Sequence, residues 1–193
     1  MATESQSTRF PSGRLVIAVL AVSIALWAVM MFGTLAHLAG LAGGAEPFDL
    51  RPLGYSVGEA RSLLALLVEK GRAYYAEVQL ALDTVYPATY ALSRVLVIWW
   101  LAMPGRLRDR PLPAPLRWLL LAPPVATALL DYWENALIAR MLAAGPGVAA
   151  DLVGAASMAT QLKSVAGAVS ELTMITFAAI ALARWWRRRS PPA

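Results

Sequence analysis

The stretch "LLDYWENALIA" (129–139) holds three polar residues whose types and spacing could do chemistry. Asp131, Glu134 and Asn135 stand at i, i+3 and i+4, which places them on one face of a helix. Two carboxyls so placed could act as an acid–base pair on a bound molecule, with Asp83 of "LDTVYPATY" (82–90) as a further catalytic carboxylate. The same oxygens suit a divalent cation such as Mg²⁺ or Ca²⁺, with Asp131, Glu134 and Glu171 as ligands. Asn135, Lys163, Arg94, Glu171, Tyr75, Tyr90 and Arg72 are the candidate ligand-binding groups around them. A second use of these residues is purely structural, an interhelical clamp in which Arg94 or Lys163 neutralises the carboxylates.

What surrounds these groups restricts the chemistry. Of the 193 residues, 59% are hydrophobic and 15% charged, against a charged share of about 25% in soluble domains. Four apolar segments account for most of that surplus, and so much apolar surface on so short a chain implies lipid as the solvent. There are no cysteines, which excludes disulfides, thiol redox chemistry and thiolate metal sites. The one histidine, His37, speaks against a haem or multi-histidine site and has no triad partner at motif spacing. No P-loop, GxSxG, HExxH or dinucleotide fingerprint occurs, so no nucleotide cofactor is expected.

The expected fold is all-α: a four-transmembrane-helix bundle forming a single membrane domain over 1–193. The first span, 15–36, is uncharged and reaches roughly 33 Å as a helix. It is longer than the apolar core of a signal peptide, so it is read as a retained span and not a leader cleaved after Ala45. A Gly- and Pro-rich loop follows from 37, and residues 56–72 form a short amphipathic helix. Ser56 and Glu59 stand at capping-box spacing at its start. The further spans fall at about 73–103, 116–143 and 151–183, closed by a basic tail, 184–193. No internal repeat is evident.

Arg9, Arg14, Arg106, Arg108, Arg110, Arg117, Arg184, Arg187, Arg188 and Arg189 all flank the spans on one side. That asymmetry puts both termini in the cytoplasm and the 37–72 segment on the outer face. Trp99, Trp100, Trp118, Trp185 and Trp186 fall at the same boundary. The arginines are read as topology determinants touching anionic lipid at the cytoplasmic face, not as a nucleic-acid surface.

Helical spacing gathers the polar groups. Tyr75, Gln79, Asp83, Tyr86, Tyr90 and Arg94 form one face of the second span. Ser157, Thr160, Gln161, Ser164, Gly167 and Glu171 form another on the fourth, with Lys163 beside it. A charge at the bilayer centre costs about 2.5–3.5 kcal/mol, so these faces must turn toward one another. The first span, with no charge, is expected to be a packing wall. Asp83, Asp131, Glu134 and Glu171 outnumber Arg94 and Lys163, so a proton or a bound cation must make up the difference. Pro87 frees a carbonyl and kinks its helix.

In chain order "RPLGYS", "GRAYY", "LDTVYPATY", "DYWENALIA" and "TQLK" resemble a family of small bacterial four-span membrane proteins with D-x-x-[FY]-P and D-x-x-E-N patterns. The resemblance covers roughly 47–165 and implies that architecture, with the short outer helix as a lid, but no reaction. The expectation is a multi-pass protein of the bacterial inner (cytoplasmic) membrane. Its outward-opening polar pocket would bind a small amphipathic or lipid-like ligand, with acid–base or metal-assisted proton transfer or hydrolysis as the chemistry it could carry. Two other classes remain: a non-catalytic structural or assembly subunit, and a proton- or cation-coupled carrier, which would need to work as a homo-oligomer.

Overall fold

A computed structural model describes residues 11–107, 109–110 and 112–189. Arg9 and Arg108, two of the basic flank residues, lie outside the described residues, as does the end of the tail. The protein is all-helical, with 85% of it in helix and no strand among the described residues.

Six helices make up the described residues. Helix α1 (Gly13–Leu41) starts at Ser12, whose side chain accepts from the Leu15 N–H, and widens into one π-helical turn at Met30–Thr34. The cap segment follows: a single 3₁₀ turn (Phe48–Leu50) and helix α2 (Val57–Leu66). The expected capping box is formed, with Ser56 and Glu59 each receiving from the other's backbone. Helix α3 (Val68–Tyr74) runs through a second π turn (Tyr75–Gln79) into α4 (Leu80–Leu101). Helix α5 (Ala114–Ala144) and α6 (Ala150–Arg189) are joined by the tight "GPG" turn, where Gly145 takes φ +65.

Several expected boundaries move. His37 lies in the last turns of α1, not in a loop. The amphipathic helix stops at Leu66, and 68–72 belong to the next helix. The break is an elbow at Val68, the one non-glycine with positive φ (46) among the described residues. For a β-branched residue that conformation is strained. The elbow is held by Arg72, whose guanidinium donates to the Leu64 carbonyl at 3.0 Å. Helix α6 continues through Arg189, so the described part of the basic tail is helical.

Helices α1, α4, α5 and α6 pack in that order, each mainly on the next, while α4 also touches α6. The two π turns abut, and the Thr34 hydroxyl on one donates to the Gln79 amide oxygen on the other. The cap folds over one end of the bundle. Phe48 stacks on Tyr75 and tilts against Tyr55 within a buried cluster with Leu38, Leu63, Leu64 and Leu67. The "RPLGYS" turn is pressed on α6: Gly54 has φ +83, and a Cβ there would meet Gln161 and Ser157 at 2.4 and 2.5 Å. Only glycine fits. The Tyr55 N–H then donates to the Ser157 hydroxyl at 2.9 Å.

The surface is apolar and the interior unusually polar. Gln79, Asp83, Ser93, Thr127, Asp131, Glu134, Thr160 and Ser170 are buried, while Ile17, Phe32, Val85, Leu119, Leu129, Val165 and Ile175 are exposed. Among the described residues two helices, α1 and α6, are long and apolar enough to cross a membrane. Only 6% of the most apolar window of α6 is buried, which is not how the core helix of a water-soluble protein looks.

Candidate functional site

Pro87 sets the geometry of α4. It lacks an N–H, so the carbonyl of Asp83 four residues earlier has no helical partner. Asn135 on α5 supplies one, its amide donating to that carbonyl at 2.9 Å. The Tyr132 hydroxyl donates to the neighbouring Thr84 carbonyl at 3.0 Å. The "DxxYP" and "DxxEN" stretches are thus two halves of one joint, a kink and its cap. Asn135, a candidate ligand-binding residue, is occupied there.

One turn away on the same face of α5, Asp131 and Glu134 converge on Lys163 of α6. The ammonium lies 3.1 Å from Asp131 and forms a closer pair with Glu134. Glu134, fully buried, also receives the Thr160 hydroxyl. Lys163 therefore ties two helices together. Tyr55 of the cap stands over this group; burial raises its hydroxyl pKa, and the nearby Glu134 carboxylate raises it further.

A second pair lies deeper along α4. The Arg94 guanidinium binds Glu171 of α6 at 2.7 Å and also donates to Ser93 (3.0 Å) and to Ser23 of α1 (3.4 Å). Its carbon lies 4.5 Å over the Tyr90 ring. The carboxylate that neutralises Arg94 is Glu171.

Between these pairs is a cleft of about 410 Å³. Trp27, Met30, Met31 and Leu35 of α1 form one wall. Asp83, Tyr86, Tyr90, Thr127 and Asp131 line it from α4 and α5, and Lys163, Ser164, Gly167, Ala168 and Glu171 from α6. Asp49, Leu50 and Pro52 of the cap close one end. Because α1 packs chiefly on α4, the cleft follows the seam between α1 and α6. It is therefore apolar on one side and acidic on the other.

Asp83 is the exceptional member. It is 2% exposed and lines the cleft, and no basic or hydroxyl side chain among the described residues bonds its carboxyl, whose hydrogen-bond partner is the Asp49 carboxyl. Its immediate neighbour is another carboxyl, that of Asp49, with Asp131 and Lys163 as the other charges around it. Asp49 in turn receives the Tyr75 hydroxyl on one oxygen, and its other oxygen is buried without a partner.

Several expectations need correction. Arg72 lies outside the cleft, donating to Leu64 and packing against Gly145. Tyr75 serves Asp49 and does not line the cleft. Asp131, Glu134 and Glu171 do not assemble as metal ligands, since Glu171 goes to Arg94 and the other two to Lys163. Among the described residues no group of three His, Asp or Glu side chains is placed to hold a metal ion. The first helix is more than a packing wall, because it forms one wall of the cleft and bonds Arg94 and Gln79. Asp49 was not anticipated. Its only signal is a loop, "EPFDLRPLGY", with two prolines and two aromatics, stiffer than a solvated loop needs to be.

No protein-family model, curated protein or solved structure matches this chain. The site stands on its geometry.

Two outcomes follow. Asn135→Ala should destabilise the protein by about 1 kcal/mol, and by much less in a Pro87→Ala background, where residue 87 supplies its own N–H to Asp83; a double-mutant cycle of unfolding in mixed micelles measures the coupling. Lys163→Met should cost about 3–5 kcal/mol by leaving two buried carboxylates unpaired, and adding Asp131→Asn and Glu134→Gln should recover most of it. Unchanged stability on losing Lys163 alone would refute the clamp.

Proposed function

We propose that the chain is a four-span inner-membrane protein, both termini cytoplasmic, whose cleft binds a small amphipathic or lipid-like molecule. The observation that carries this reading is the two-sided cleft, with Trp27, Met30, Met31 and Leu35 facing Asp49, Asp83 and Asp131. A tail can lie on the first set and a polar head on the second. A volume of about 410 Å³ is of the size that small-molecule sites have.

Four spans are supported by the distribution of polarity in α4 and α5. Both carry charges that lower their hydropathy, but Asp83, Asp131 and Glu134 are buried, while Val85, Leu92, Leu119, Val125 and Leu129 are exposed. A helix with charges inside and aliphatic residues outside suits lipid better than water. This is also the architecture of the family that the motifs resemble. Anionic lipid at the cytoplasmic face is supported by a hollow of about 540 Å³ lined by Trp100, Arg106, Trp185 and Arg188. There the Arg106 guanidinium lies 3.5 Å over the Trp100 ring.

In this reading Lys163, Asp131, Glu134, Arg94 and Glu171 act chiefly as clamps that hold the cleft's acidic wall, the structural role weighed for them. Asp49 and Asp83 are the groups left to meet a ligand.

The absence of cysteine makes both parts directly testable. An impermeant maleimide applied to intact spheroplasts should label Glu46→Cys and Gly147→Cys, and should label Arg189→Cys only after lysis; labelling of all three from outside would refute the topology. In proteoliposomes, dodecanol should slow modification of Ala168→Cys in the cleft by a membrane-permeant maleimide, and should leave Leu129→Cys on the outer surface unaffected. Equal effects at both positions would refute a binding cleft.

A further inference from the structure

The cleft holds an imbalance of charge that its own residues do not correct. Five carboxyl groups, Asp49, Asp83, Asp131, Glu134 and Glu171, stand in or against it with two basic side chains, Lys163 and Arg94. Both basic groups are taken. Arg94 is bonded to Glu171, and Lys163 lies between Asp131 and Glu134. What remains is the Asp49–Asp83 pair, two carboxyls in contact from different segments, one on the cap and one on α4. A buried carboxyl with no donor is an energetically poor arrangement unless something else supplies the donor. The second oxygen of Asp49 meets that description, and Asp83, 2% exposed and bonded to Asp49, lines the cleft beside it.

The character of that space narrows what the missing donor is. Tyr86, one turn from Asp83, and the Trp27 indole of α1 line the same cleft, where the Tyr90 ring already carries Arg94. Aromatic faces and carboxylates together favour an organic cation, which gains from both. The rest of the α1 wall, Met30, Met31 and Leu35, offers thioethers and a branched alkyl group, adaptable surface for a hydrocarbon chain. A small hydrated metal ion would find only carboxyls already engaged by Lys163 or Arg94 next to the pair, and no third free ligand among the described residues.

We propose that the cleft recognises amphipathic amines: an ammonium head held between Asp49 and Asp83, an alkyl or acyl chain lying on Trp27, Met30, Met31 and Leu35. This rests on the reading of the cleft as an amphiphile site and adds the sign of the headgroup. It also gives the cap a role. Asp49 reaches the pair only because the Phe48–Leu50 turn is buried under α2 and the Gly54 turn is seated on α6. The cap therefore supplies half of the ammonium receptor.

The test compares dodecylamine, dodecanol and dodecanoate at neutral pH as protectants of Ala168→Cys against maleimide in proteoliposomes of neutral lipid. Dodecylamine should protect at about tenfold lower concentration than dodecanol, roughly 1.4 kcal/mol of extra affinity, and dodecanoate should be the weakest. Asp83→Asn should abolish the advantage of the amine while leaving the dodecanol half-point unchanged. Asp49→Asn, made on the cap outside the bundle core, should do the same and guards against a folding defect in the first variant; thermal melts of both variants accompany the assay. Equal protection by amine and alcohol, or an amine advantage that survives both substitutions, overturns the proposal and leaves the amphiphile cleft standing. Protection by none of the three overturns the cleft reading itself, and this inference with it.

Discussion

A lysine ammonium held by two carboxylates on a neighbouring helix is the interaction on which the rest of this structure depends. Lys163 makes α5 and α6 a single unit, because separating them would leave Asp131 and Glu134 buried without a counter-charge. Once those helices are locked, the same face of α5 presents Asn135 and Tyr132 to the backbone that Pro87 has opened in α4. Three helices are thereby registered by two kinds of unsatisfied group, charged side chains and orphaned carbonyls. The surface, rich in exposed aliphatic residues, contributes little to that registration.

The fourth element, α1, is fixed differently. It carries no charge over its apolar stretch and is attached by Ser23 to Arg94, by Thr34 to Gln79, and by packing around Val16, Val97 and Leu101. These are weaker ties than a buried ion pair. The contrast between a tightly registered trio and a lightly attached first helix produces the seam along which the cleft lies. Site and fold share one cause: polar pairing draws three helices together and leaves the uncharged one at the edge of the pairing.

Much of this was legible in the sequence, for reasons that particular residues make plain. Helical spacing put Asp83, Tyr86, Tyr90 and Arg94 on one face, and the cost of burying charge required that face to meet those of Asp131 and Glu171. What spacing along a helix cannot supply is which charge pairs with which, so the assignment of Lys163 to Asp131 and Glu134 needed coordinates. Asp49 was invisible to this logic because it lies in a loop, where no period relates a residue to its neighbours in space. Arg72 was misplaced for the converse reason: its charge suggested a ligand, while the elbow at Val68 left a carbonyl for it to hold. The role of α1 is not legible in the sequence because helical spacing singles out polar groups, and this helix contributes mostly by lining a space.

That elbow has a wider meaning for the cap. Residues 45–67 are bounded at one side by Gly43 and Gly44, with φ of +65 and +94 and no heavy atom near a would-be Cβ, and at the other by the strained valine. One joint is free and the other is loaded. A valine held in the left-handed region costs about 1–3 kcal/mol. The buried contacts of Phe48, Leu63 and Leu64 offset that cost, so the cap's packing, and not the valine's own preference, sets the angle of the elbow.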